Sequence, residues 1–130
     1  MDMVGYGHWY FENLKSALEG LDIRKIEAAT DILKEAWIRG HSVYVMGNGG
    51  SASTATHFAA DLVKTTTSEP GDRGIRALTP WDNLPLISAI VNDRPKDDLF
   101  TAWLDTFYEK RGVGIGISVH GGSGSALGGR

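Results

Sequence analysis

Ser42-Val43-Tyr44-Val45-Met46-Gly47-Asn48-Gly49-Gly50-Ser51 is the stretch that decides the fold. Its first five residues, rich in β-branched and aromatic side chains, suit a buried strand and lead straight into a glycine loop. Behind the loop, Ala55, Phe58, Ala59, Leu62 and Val63 recur at three- and four-residue spacing, which predicts a helix over 52–64 with one apolar side. The glycines at 47, 49 and 50 let backbone approach a ligand closely. The start of the next helix offers unpaired N–H groups and a positive dipole end, so the loop suits an anion. Ser51 sits at the expected N-cap, where its hydroxyl can cap the helix, bond a phosphate oxygen or do both, and Asn48 is able to reach a sugar hydroxyl. On spacing alone the loop is equally a tight strand-to-helix turn. It has neither the Gly-Lys-Ser/Thr of a P-loop nor the third glycine of a dinucleotide fingerprint.

Working outward, Phe11, Leu14, Leu18 and Leu21 predict a first helix over 8–21. Ile26, Ala29, Leu33, Ala36 and Trp37 predict a second, capped by Asp22 and ended by Gly40. Downstream, 74–79 reads as a second strand, and Pro80-Trp81-Asp82-Asn83 opens a loop. Helices are expected over 84–91 and 97–110, separated by Asn92-Asp93-Arg94-Pro95, and a last strand over 113–119. Alternating strands and helices indicate a parallel sheet covered by helices, with ligand sites beyond the carboxyl ends of the strands. The expectation is a three-layer, Rossmann-like α/β/α domain over 1–130, with N-terminal helices in 1–40 and a Gly/Ser-rich loop or tail at 120–130.

A chain of 130 residues, 42% hydrophobic, is long enough to bury its own core. It has no cysteine, which excludes disulfides, thiolate metal clusters and cysteine catalysis. A net charge of -3 without a basic stripe argues against direct nucleic-acid binding. No apolar run is long enough to span a membrane and the first ten residues do not read as a signal peptide, so a cytoplasmic location is expected.

Gly47-Asn48-Gly49-Gly50-Ser51, followed by Ala55 and His57-Phe58-Ala59-Ala60-Asp61-Leu62, resembles the signature of phosphoheptose isomerases and their sugar-isomerase (SIS) domain relatives. The likeness extends through the run Asp82 to Asp93 and through Gly116-Ile117-Ser118, and so spans most of the chain. It implies a cytosolic homotetramer, with active sites between subunits, that converts sedoheptulose 7-phosphate into a heptose 7-phosphate for lipopolysaccharide or S-layer glycan precursors, often with bound zinc; a homo-oligomer, tetramer or dimer, is expected. Two departures stand out. The family usually has a longer Glu where this chain has Asp61, and it continues with a late helix carrying a histidine and a glutamine that have no counterpart here. On that comparison the chain is expected to lack the C-terminal part of the fold.

Aldose–ketose isomerisation moves a proton between C1 and C2 through an enediol, so it needs a base near those carbons and a group to stabilise the oxyanion. His57 and Asp61 are the candidates. Their i, i+4 spacing also suits two ligands of one zinc ion, the others coming from elsewhere, or else an ordinary surface pair. Ser118, His120 and Ser123 fall where the family has its hydroxyl-rich phosphate loop; as plain sequence they also read as a polar linker. Asp82 and Asn83 either bind sugar hydroxyls or simply make a turn. The four tryptophans supply core or interface area. The candidate substrate-binding set is therefore Asn48, Gly49, Gly50, Ser51, Asp82, Asn83, Ser118, His120 and Ser123. The competing reading is a non-catalytic SIS protein that binds a phosphosugar or acts as an oligomeric scaffold for a protein partner such as a replication initiator.

Overall fold

The computed structural model describes residues 1–67, 69, 71–95, 98–119 and 121, in two compact units, Met1–Asp31 and Ile32–Arg130. In the first unit, helix α1 (Met3–Glu19) begins well ahead of His8. Its start is set by Asp2, whose carboxylate accepts from the Gly5 N–H at 2.8 Å, and not by the first apolar residue. None of its side chains is buried. Helix α2 (Ile23–Arg39) straddles the two units and has the expected ends. Asp22 accepts from the Arg24 N–H at 3.1 Å, and Gly40 follows the helix with φ +70°, where an added Cβ would be strained.

The second unit holds a parallel sheet of β1 (Val43–Gly47), β2 (Ala77–Leu78) and β3 (Val113–Ile117), in the order β2-β1-β3. Helices α3 (Gly50–Lys64), α4 (Leu84–Asp93) and α5 (Leu99–Phe107) complete it, with a 3-10 turn at Pro80–Asp82. The central strand is buried on both faces, and its two-residue alternation sorts the core into layers. Val43 and Val45 pack with Leu33 and Ala36 of α2 and with Ala55, Ala59 and Leu62 of α3. Tyr44 and Met46 face the opposite way, into Ile87 of α4 and Leu99 and Trp103 of α5. Each fully buried side chain of this kind contributes about 1.5–3 kcal/mol. The Tyr44 hydroxyl, inside the second layer, donates to the Phe107 carbonyl at 2.6 Å and accepts from the Glu109 N–H at 2.9 Å. The unit is thus the expected three-layer α/β/α arrangement.

Several boundaries differ from expectation for identifiable reasons. Only Ala77 and Leu78 of the anticipated strand over 74–79 pair with β1. The Ile75 N–H is already committed to the end of α3, donating to Leu62 O at 3.2 Å and Thr66 Oγ1 at 2.9 Å, and Pro80 has no N–H to give. Helix α3 starts at Gly50, with Gly49 at the cap and no side-chain cap bond, so Ser51 lies inside the first turn and does not cap it. Helix α4 runs on through Asn92 and Asp93 and stops at Arg94, which is extended because a proline follows. Helix α5 is shorter than 97–110, and β3 ends at Ile117. No helix among the described residues is long and apolar enough to cross a membrane.

Candidate functional site

From β1 the chain passes through α3 to β2 on one side, while β3 lies on the other, so the carboxyl ends of β1 and β3 flank a topological switch point. A crevice of about 790 Å³ opens there. Asn48, Gly49 and Ser51 line it from the glycine loop, Ser118 from the end of β3, and Phe100, Thr101 and Leu104 of α5 form its wall. Among the described residues, no lining side chain carries a formal charge. What the described residues offer an anion is hydroxyls, backbone amides and the N-terminal end of α3.

The loop is shaped for that. Gly49 adopts φ +56° and ψ −124°, a region closed to residues with a Cβ, and turns the chain into the helix. The N–H groups of Ser51, Ala52 and Ser53 are spent on the carbonyls of Asn48 and Gly49, whereas those of Gly49 and Gly50 have no acceptor among the described residues. With no side-chain cap in place, the Ser51 hydroxyl is left for the crevice it lines. A Cβ on Gly47 would stand 2.6 Å from the Ser51 carbonyl oxygen, so this glycine is what lets α3 begin directly above β1.

His57 and Asp61 stand elsewhere on α3. They line a shallow groove with Ser53, Thr54 and Phe58, and His57 also lines a second with Ala52, Trp81 and Leu84. His57 Nε2 and Asp61 Oδ2 are 3.5 Å apart, in ion-pair range but too far for a good hydrogen bond, and the His57 side chain is 83% exposed. From Ser51 to His57 is about 9 Å along the helix and roughly a third of a turn around it. Zinc takes four ligands. This pair offers two, and no group of three or more metal-binding side chains occurs among the described residues. The described residues alone do not make a zinc centre.

Of the remaining candidates, Gly50 is the first residue of α3 and open to solvent. Asn83 caps α4, accepting from the Leu86 N–H at 3.2 Å, and Asp82 is exposed in the 3-10 turn; neither lines the crevice. His120 and Ser123 lie outside the described residues. The crevice wall of Phe100, Thr101 and Leu104 was not anticipated, since nothing local in the sequence announces which helix will cover the loop. Nor was Trp81, whose indole Nε1–H donates to the Gly47 carbonyl at 2.8 Å.

A family model, the SIS domain, matches residues 9–125. The chain belongs to the SIS domain family. Among relatives of this SIS domain, lincomycin biosynthesis protein LmbN of Streptomyces lincolnensis is 41% identical over 96 residues, 74% of this chain and 34% of that protein. The phosphoheptose isomerase of Geotalea uraniireducens is 33% identical over 110 residues, covering 85% of this chain and 57% of the isomerase. A probable phosphoheptose isomerase of Thermoplasma acidophilum is 35% identical, with coverages of 88% and 62%. The chain thus spans from about a third to three-fifths of these relatives' lengths. Its fold matches the structure of phosphoheptose isomerase GmhA from Neisseria gonorrhoeae with a TM-score of 0.72 at 23% identity, covering 88% of this chain and 58% of the other.

Proposed function

We propose that the chain binds a phosphorylated heptose and serves its aldose–ketose isomerisation, sedoheptulose 7-phosphate to D-glycero-manno-heptose 7-phosphate. The observation that carries this reading is the convergence of Asn48, Gly49, Ser51 and Ser118 on one crevice at the switch point. The similarity to phosphoheptose isomerases supplies the substrate class. The phosphate sits against the Gly49 and Gly50 amides and the Ser51 and Ser118 hydroxyls. His57 takes the proton from C1 to form the enediol and returns it to C2, as the C1 hydroxyl proton passes to the C2 oxygen, with Asp61 beside it to steady the charge that the imidazole transiently gains. A heptulose 7-phosphate bears its phosphate on C7 and reacts at C1 and C2, so its anion site and its base must be well separated. The placement of His57 further along α3 is in keeping with that demand. In this reading the domain works as a homo-oligomer, because α1 leaves Trp9, Phe11, Leu14 and Leu18 exposed.

The test pairs a thermal-shift titration with a coupled turnover assay on sedoheptulose 7-phosphate. Ligand at about 100 times its Kd should stabilise the fold by about 2.7 kcal/mol. Exchanging His57 for Ala should lower turnover by about 100-fold or more while leaving phosphate affinity at the wild-type value. Wild-type turnover in H57A removes His57 as the base. Absence of any stabilisation by the sugar phosphate removes the crevice as its site.

A further inference from the structure

We propose that Trp81 is a positioning residue, whose indole N–H fixes the glycine loop in its anion-binding form and ties that loop to the crevice wall. The proposal deepens the phosphosugar reading and rests on it for its ligand.

The Val43 N–H donates to the Arg76 carbonyl at 2.9 Å, on the β2 side of β1. Polar backbone groups alternate sides along a strand, so Val45 and Gly47 present theirs to the same side. There the ladder has run out. Pairing with β2 ends at Leu78 opposite Tyr44, and the chain turns away at Pro80, which has no N–H. The carbonyl of buried Gly47 would be left without a strand partner, and the Trp81 indole takes the place of the missing strand at 2.8 Å. Because a peptide unit is planar, holding the Gly47 carbonyl also fixes the plane of the Gly47–Asn48 bond and hence the direction in which Gly49 and Gly50 leave the strand.

The same ring meets Phe100 edge-on, with centroids 6.4 Å apart and planes at 84°. Phe100 lines the crevice, and Trp81 itself lines the groove that holds His57. One side chain thus touches the loop, the wall and the neighbourhood of the proposed base. A tryptophan acting only as apolar filling would not need its N–H; a positioning residue would.

Trp81→Phe keeps a ring against Phe100 and removes the donor. Benzothienylalanine at position 81, in which sulfur replaces the N–H, keeps the fused ring as well and carries the test if W81F does not fold. Trp103→Phe is the control, since Trp103 is buried in the same apolar layer, where it meets Tyr44 edge-on and Phe107 at a tilt. NMR order parameters for Asn48 to Ser51 in the free protein should fall in the Trp81 variants and stay at wild type in W103F. Calorimetric affinity for inorganic phosphate and for sedoheptulose 7-phosphate should fall together by about tenfold, the equivalent of one lost hydrogen bond. W103F should lower Tm and move neither readout. Unchanged loop order in the Trp81 variants, or an equal loosening in W103F, overturns the proposal. If the wild-type protein binds neither phosphate nor the sugar phosphate, the functional reading falls, while the loop measurements still decide the role of Trp81.

Discussion

Two glycines three residues apart make opposite demands. A Cβ on Gly47 would meet the Ser51 carbonyl oxygen at 2.6 Å and its carbonyl carbon at 2.7 Å, backbone atoms that cannot swing aside. Gly47→Ala must lift the start of α3 off the strand. It should cost about 1–3 kcal/mol, read as a lower Tm, and abolish phosphate binding. A Cβ on Gly50 meets nothing within 4 Å, and the residue is already helical. Gly50→Ala should therefore raise stability by about 0.4–1 kcal/mol. The new methyl narrows the approach to the Gly49 and Gly50 amides, so a phosphate titration should show weaker binding alongside the higher Tm. A G50A protein that is stabilised and binds phosphate at the wild-type affinity would take those amides out of the anion site.

At the scale of the element, Asn83 separates two meanings of one residue type. Its side chain accepts from the Leu86 N–H at the start of α4. Asn83→Ala should destabilise the domain by about 1 kcal/mol in a thermal or urea melt and leave sugar-phosphate affinity unchanged; a fall in affinity larger than the fall in stability would return Asn83 to the binding site. Turn chemistry made this residue visible in the sequence but not its job, because Asx residues look alike whether they cap a helix or meet a ligand. The ends of α2 were legible, since Asp22 and Gly40 are local signals for local events. So was the central strand, whose β-branched and aromatic residues have no other use. The start of α1 depended on a single carboxylate, Asp2, ahead of the apolar stripe. The shortness of β2 depended on Ile75 giving its N–H to α3, a tertiary matter. For the same reason the loop side of the crevice could be read from Gly47 to Ser51, and its α5 wall could not: Phe100 and Thr101 reach the loop only through folding of the whole sheet.

At the scale of the molecule, α1 leaves large apolar side chains exposed, with Trp9 at 52%, Phe11 at 66% and Leu18 at 59%. Patches of that kind mark surfaces that meet a partner. Light scattering at micromolar concentration should report a closed oligomer, and Phe11→Glu should shift it toward monomer without changing the melting of the sheet domain. A wild-type monomer would remove self-association from the proposed function. The strand order carries a further, kinetic consequence. Val43 pairs with Ala77 and, about twice as far along the chain, with Val113. Closing the longer loop is entropically slower, so the unit of β1, α3 and β2 is expected to assemble before β3 docks. The crevice has one wall on each side of that late pairing. It comes into existence only at the end of folding, and a ligand that grips both walls should act mainly as a brake on unfolding.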